Sequence, residues 1–126
     1  MMTTQQELER NKAFIINHFE EFVNRKNSEI AYHNFAPDFL DHDEPYRESI
    51  GPEPAKQMME KVYIKFPDIH VTVEDIIAEG DKVMVRNVWR VTTLTGEKRE
   101  FKGFVLWRLA DGKIAERWAT IAPPMG

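Results

Sequence analysis

The run Asp41-His42-Asp43 is the cluster in the sequence that is best suited to acid–base chemistry. A histidine beside a carboxylate can act as a general base, or can be oriented by that carboxylate. Neighbouring residues of an extended strand point to opposite faces, so either His42 or the pair Asp41 and Asp43 faces inward. We predict these three residues as the catalytic candidates, with His42 as the first choice. The alternative is a polar strand end whose histidine makes an ordinary hydrogen bond.

An amide and an indole lie on one face of a predicted central strand. Asn87 and Trp89 share that face with Val83 and Val85. An amide among apolar side chains is costly to bury without a partner, so Asn87 could orient a ligand carbonyl beside Trp89. The alternative is an amide that is satisfied by a cross-strand partner.

Four further residues complete the predicted substrate-binding set. Trp118 and Thr120 share a face of the last strand, and we predict that Trp118 packs against the helices and Thr120 reaches the pocket. Tyr32 and Met58 lie on helices that would cap the mouth of the pocket. Methionine and tyrosine at helical spacing also suit an ordinary core.

Composition excludes several other kinds of site. The chain has no cysteine, and its four histidines form no His-x-His or His-x-x-x-His pair, so we predict no metal. There is no glycine-rich phosphate loop and no nucleophile elbow. We therefore predict no cofactor.

The charge and hydropathy patterns limit which partners and which cellular location we expect. A net charge of -4 without a Lys/Arg stripe argues against nucleic acid. The apolar runs are too short to span a bilayer, and the start has no signal-peptide pattern. We expect a cytoplasmic protein with no membrane partner, and 126 residues fit a single domain, 1–126.

Helical signals occupy the first half of the chain. Thr4 and Glu7 form a capping box that predicts a helix over residues 5–26. Asn27 or Ser28 could cap a short second helix before Pro37. A third helix opens at GPEP and ends at Phe66-Pro67.

The second half of the chain has the two-residue period of strands. From Ile69 onward, turns at Gly80-Asp81, Thr95-Gly96 and Asp111-Gly112 predict strands over residues 68–79, 82–93, 99–109 and 113–121. Residues 39–43 form a short strand or an extended corner, and a loop follows over 44–46. The prediction is an α+β domain, with three N-terminal helices packed on one face of a strongly curved antiparallel sheet. The other face keeps apolar residues, which favours a homodimer through the sheet.

Four segments carry a family resemblance over residues 35–118: FAPDFLDHD, IGPEPAKQMM, FPDIHVTVEDIIAEGDKVMVR and RLADGKIAERW. The chain resembles the SnoaL-like polyketide cyclase family, within the nuclear transport factor 2-like superfamily. The resemblance implies a cone of helices around a bent sheet, with a deep pocket and often a dimer through the sheet. Members of that family close polyketide ester rings by intramolecular aldol chemistry.

The resembling cyclases place a catalytic aspartate on the last strand, a few residues past a tryptophan. Here the residues after Trp118 are Ala119-Thr120-Ile121-Ala122-Pro123, without a carboxylate. We predict a protein that binds a small apolar or aromatic molecule. Its enzyme class would be that of a cyclase or isomerase, with cofactor-independent acid–base chemistry on a carbonyl or ring-containing substrate. The alternative is a non-catalytic ligand-binding or dimeric assembly module of the same fold.

Overall fold

Three α-helices and a six-stranded sheet make up the fold in the computed structural model, which describes residues 3–43 and 48–121. The helices are α1 (Gln5–Phe19), which continues into a π-helical turn (Glu20–Asn24), α2 (Ile30–Asn34) and α3 (Pro52–Lys65). The strands are β1 (Phe35–Asp41), β2 (Ser49–Ile50), β3 (His70–Glu79), β4 (Lys82–Thr92), β5 (Lys98–Ala110) and β6 (Lys113–Ile121). The loop predicted over 44–46, and residues Ala122 and Pro123, lie outside the described residues.

The sheet has the order β2-β1-β6-β5-β4-β3. The predicted α+β class and the three hairpin turns are confirmed, but the sheet is mixed because β1 runs parallel to β6. Strands joined by tight turns must be antiparallel, whereas β1 and β6 are far apart in sequence, so no local turn fixes their relative direction. The predicted antiparallel sheet therefore holds for β3 to β6, and the β1–β6 pair is the exception to it.

Helix α1 begins as the capping box predicted, since the Thr4 hydroxyl accepts a hydrogen bond from the Glu7 amide at 3.1 Å. It does not continue as an α-helix to residue 26, because the π-helical turn starts at Glu20. The Phe22 carbonyl in that turn accepts a hydrogen bond from the Tyr63 hydroxyl of α3. The side chain of Asn24 accepts from the Val71 amide at 2.8 Å and donates to its carbonyl at 3.1 Å. The turn thus joins α1 to α3 and to the edge strand β3.

The predicted side-chain cap of α2 is not formed. No side chain caps this helix, and the Ser28 hydroxyl donates instead to Glu60 of α3 at 2.9 Å. Helix α3 starts at Pro52 as predicted, directly after Gly51, whose φ of 86° lies in the left-handed region that glycine tolerates.

A β-bulge decides which side chains of β6 face the helices. Arg108 pairs with Glu116 and Leu109 pairs with Ile114, so Ala115 is an extra residue in β6. A one-residue insertion reverses the alternation of every residue beyond it. Ile114 therefore faces the core with Arg117, whereas Trp118 and Thr120, which were predicted inward, face outward.

Candidate functional site

A cavity of about 250 Å³ lies between the inner face of the sheet and helices α1 and α3. Most of its wall is apolar and aromatic. The apolar lining residues are Phe19, Phe22, Val23, Phe35, Ala55, Met58, Met59, Val62, Phe66, Ile69, Trp89, Phe101 and Trp107. Four polar side chains also line it: His18, Asp41, Asp43 and Arg117. An apolar cavity with a few polar groups is the usual form of a small-molecule site.

The central polar contact is an ion pair between neighbouring strands. Asp41 at the end of β1 is the register partner of Arg117 on β6, and an Arg117 Nη1–H donates to Asp41 Oδ1 at 3.0 Å. The two side chains are 3% and 15% exposed. Charges this far from water need a partner, and each provides one for the other.

Some hydrogen-bonding atoms of this ion pair are not used within the described residues and can contact a ligand. Asp41 Oδ1 accepts from both Arg117 and the Asp43 amide, while Oδ2 accepts from none of the described residues. Only Nη1 of Arg117 donates within the described part of the chain, to Asp41 and to the Asp43 carbonyl at 3.4 Å. The pair therefore retains both an acceptor oxygen and N–H donors for a ligand.

Asp43 is held at the exposed side of the same wall. Its Oδ2 accepts from the Ala119 amide at 2.8 Å, so the side chain occupies the place of a missing backbone partner beside β6. The side chain is exposed, unlike that of Asp41. Asp43 consequently lies where the cavity meets solvent.

His18 is a neutral hydrogen-bond donor in the cavity wall. Burial lowers the pKa of this imidazole from 6.5 to about 3, and the charge of Arg117 acts in the same direction. Its Nδ1 lies 2.9 Å from Nδ2 of buried Asn34, an amide nitrogen that can only donate. The proton of the neutral ring is therefore on Nε2, which contacts no acceptor among the described residues.

Trp107 contacts both the Asp41–Arg117 ion pair, through Arg117, and the His18 ring. It is the register partner of Arg117 on β5, and the Arg117 guanidinium carbon lies 5.8 Å from the ring centroid, a cation–π distance. The His18 ring meets Trp107 edge-on at 5.4 Å. Asp41, Arg117, Trp107 and His18 therefore form one connected cluster, which we call the polar end of the cavity.

Four of the predicted site residues line the cavity: Asp41, Asp43, Trp89 and Met58. Asn87 lies behind this wall, fully buried, and its Oδ1 accepts from Trp89 Nε1 at 3.1 Å. The Asn87 Nδ2 has no partner among the residues that the structure describes. The amide thus orients Trp89 rather than lining the cavity itself.

His42 and Trp118 lie together on the opposite face of the sheet. Their rings stack with centroids 4.7 Å apart and an interplanar angle of 8°. His42 Nε2 is 2.9 Å from Glu116 and Nδ1 is 3.1 Å from Glu48. The bond to Glu116 raises the pKa of His42, with help from Glu48 and against the effect of burial. The strand alternation therefore points Asp41 and Asp43 inward and His42 outward.

Besides His42 and Asn87, three further placements differ from the sequence expectation. Trp118 packs on His42 instead of the helices, and Thr120, the register partner of Phe104, is exposed on the outer face; the bulge at Ala115 causes both changes. Tyr32 is 48% exposed, and its hydroxyl donates to Glu53 outside the cavity.

Two of the four polar residues that line the cavity were missed by sequence reasoning. His18 follows Ile15 by three residues and precedes Phe22 by four, so the helical spacing already placed it on the buried stripe of α1. Arg117 gave no comparable signal, because strand alternation without the bulge predicts it outward. Among residues 3–43 and 48–121, no group of three or more His, Cys, Asp or Glu could hold a metal ion. No helix there is long and apolar enough to cross a membrane.

The three helices, the mixed sheet and the cavity between them define a nuclear transport factor 2-like domain. The sequence matches the SnoaL-like polyketide cyclase family over residues 13–122. The chain belongs to that family. A comparison with curated protein sequences finds no match.

Several solved structures are similar to this chain. AclR, a proposed hydroxylase from Streptomyces galilaeus, is 26% identical over 91% of this chain and 90% of its own, with a TM-score of 0.79. IdmH, a proposed polyketide cyclase from Streptomyces antibioticus, is 26% identical over 89% of this chain and 91% of its own, with a TM-score of 0.80. A proposed polyketide cyclase from Bacillus cereus ATCC 10987 is 25% identical over 94% of this chain and 78% of its own, with a TM-score of 0.82.

Proposed function

We propose that the cavity binds an apolar carbonyl compound and that Asp41 removes a proton next to its carbonyl group, without a cofactor. The observation that carries this proposal is the buried Asp41–Arg117 pair in the wall of an otherwise apolar cavity. The names of the similar structures, which include proposed polyketide cyclases, support chemistry of the cyclase type.

The proposed step is an enolisation. The substrate's α-carbon–hydrogen bond breaks, and the proton moves to Oδ2 of Asp41. The electron pair forms a carbon–carbon double bond as the carbonyl π electrons move to oxygen. The N–H groups of Arg117 and the Nε2–H of His18 stabilise the resulting oxyanion, because fixed donors in a dry site need no reorganisation. Protonation at a different carbon isomerises the substrate, and attack on a second carbonyl carbon closes a ring.

Asp41 is the favoured base over the other two catalytic candidates. His42 faces the opposite side of the sheet and is held between two carboxylates. Asp43 lines the cavity but is exposed, and its Oδ2 already accepts from the Ala119 amide. Asp41 is buried in the cavity wall and its Oδ2 accepts no hydrogen bond from the described residues, so that oxygen is available to a bound carbon acid.

Deuterium exchange tests this function without a known substrate. α-Tetralone is incubated with the protein in heavy water, and loss of the signal from the protons next to its carbonyl is followed by proton NMR. We expect the protein to accelerate exchange and Asp41→Asn to lower the protein-dependent rate about 100-fold or more, the usual contribution of a general base.

Two control variants and a folding measurement complete that experiment. Asp38→Asn changes an exposed carboxylate of the same strand that does not line the cavity, and it should leave exchange unchanged. Circular dichroism should show that Asp41→Asn is folded under the assay conditions. Loss of exchange in His42→Gln with full exchange in Asp41→Asn would assign the base to His42 and overturn the proposal.

A second copy of the chain is the proposed partner of the outer face of the sheet. Phe104 on β5 is 53% exposed and Ile77 on β3 is 67% exposed. Both lie on the face away from the helices, where Arg86 and Asp75 already pair with each other at 2.6 Å. Apolar residues next to neutralised charges suit a self-complementary interface.

A further inference from the structure

We propose that the cavity selects a ligand of one or two rings, about ten non-hydrogen atoms in size, with one acceptor oxygen at the polar end. This inference rests on the proposed function for the reaction of that ligand. It adds the size of the compound and its restriction to a single polar end, which neither the family nor the chemistry of enolisation fixes.

The volume of the cavity sets the size. An apolar cavity of about 150 Å³ is known to hold benzene, which corresponds to about 25 Å³ for each ring carbon. At that density the 250 Å³ cavity holds about ten non-hydrogen atoms. Pockets for drug-sized molecules begin at about 300 Å³. A fused two-ring ketone fits this space, whereas three linearly fused rings exceed it.

The distribution of polar groups sets the polarity. Arg117 contacts both Asp41 and Trp107, and Trp107 contacts His18, so the charged and donor groups are contiguous. Apart from exposed Asp43 at the mouth, the rest of the wall is formed by the other twelve apolar residues that line the cavity. A second polar group on the ligand would lie against those side chains without a partner, which costs free energy. The favoured ligand is therefore apolar except at one end.

Helix α3 limits the length of the ligand. Met58, Met59 and Val62 come from this helix and line the cavity opposite the sheet. Met59 is only 5% exposed and packs in the core, whereas Met58 is half-buried. Shortening Met58 should thus enlarge the cavity with the smaller loss of core packing.

Binding of three probes to the whole protein tests the size and the polarity. Isothermal titration calorimetry is run with α-tetralone, with tetralin, which has the same two rings without the carbonyl, and with anthrone, which has three rings and a carbonyl. We expect α-tetralone to bind at least about tenfold more tightly than tetralin, since its carbonyl accepts hydrogen bonds from charged Arg117 that tetralin cannot accept. Anthrone should bind at least about tenfold more weakly than α-tetralone, because packed side chains of the cavity wall must move to admit its third ring.

The second measurement uses a variant with an enlarged cavity and compares its affinities for anthrone and α-tetralone. Met58→Ala should raise the affinity for anthrone relative to α-tetralone by about tenfold, as a longer ligand fills the added space. Ile64→Ala is the matched control, since Ile64 lies on the same helix, is 79% exposed and does not line the cavity. It should leave the affinity ratio unchanged.

The outcomes separate this inference from the proposed function. Equal affinity for anthrone and α-tetralone in the unaltered protein overturns the size limit, and equal affinity for tetralin and α-tetralone overturns the polar end. Absence of binding by all three probes overturns the inference as a whole. Tight α-tetralone binding without deuterium exchange supports the inference while it contradicts the proposed function.

Discussion

At the residue scale, Asp41 and Arg117 form a contact that is important for both stability and chemistry. Both side chains are largely buried and pair at 3.0 Å across β1 and β6. Asp41→Leu alone leaves a buried guanidinium uncompensated, and we expect it to lower the free energy of unfolding by about 3–5 kcal/mol. Adding Arg117→Met should restore most of that loss, because the pair is then replaced by apolar groups. Urea denaturation of both single variants and the double variant measures the coupling.

No recovery in the double variant would show that packing, and not charge compensation, sets the cost of the single substitution. The same cycle made with Lys12→Met and Glu9→Leu on helix α1, away from the proposed interface, serves as a control. That pair also lies at 3.0 Å, but its side chains are 25% and 58% exposed. An exposed pair of this kind contributes at most about 1 kcal/mol.

The buried imidazole of His18 should make stability depend on pH. Its pKa is lowered to about 3 in the folded protein from 6.5, so the unfolded chain binds more protons between these two pH values. The free energy of unfolding therefore falls as the pH drops below 6.5, by at most about 1.4 kcal/mol per pH unit from this group. His18→Gln, which keeps a side-chain acceptor for Asn34, should remove that slope in urea denaturation at pH values between about 4 and 7.

His42 offers a control with the opposite sign. Its pKa is raised by Glu116 and Glu48, so its contribution is fully present below the ordinary value and is lost as the pH rises through the folded pKa. His42→Gln should consequently reduce stability mainly at acid pH. A His18→Gln protein with the same pH slope as the unaltered protein would contradict the neutral, buried imidazole.

At the element scale, the bulge in β6 determines which functional groups face the cavity. Deleting Ala115 restores simple alternation, so that either Arg117 and Trp118 exchange faces or the pairing of β6 is disrupted. Because β6 lies between β1 and β5, we expect the deletion to abolish cooperative thermal unfolding monitored by circular dichroism.

Ala115→Val is the matched variant for that deletion. It keeps the chain length and adds a β-favouring side chain to a strand residue that is not in the buried core. Its unfolding transition should remain cooperative. A deletion variant with an unchanged melting temperature and unchanged α-tetralone affinity would show that the bulge does not fix the site.

At the scale of the whole molecule, the outer face of the sheet predicts the oligomeric state. Size-exclusion chromatography with light scattering should give a dimer, and Phe104→Lys should convert it to a monomer by placing a charge in the apolar interface. Leu94→Lys is the control, since Leu94 is 85% exposed in the β4–β5 connection. A monomer at micromolar concentration of the unaltered protein would contradict the interface.

The sequence by itself determined the helices and hairpins, because these depend on local patterns. The capping box at Thr4, the start of α3 at Pro52 and the turns between β3, β4, β5 and β6 agree with the structure. The family resemblance added the cone fold, and the acidic run at the end of β1 supplied two of the four polar residues of the cavity, Asp41 and Asp43.

Only the tertiary structure decided which polar groups meet. Arg117 lies 76 residues from Asp41 in sequence, and their contact needs the parallel pairing of β1 with β6 and the bulge at Ala115. Neither feature has a local signal, because a strand's partner and its register are set by packing of the whole sheet. The same bulge points Trp118 and Thr120 outward. The sequence thus specified the elements and part of the chemistry, while long-range strand pairing assembled the site.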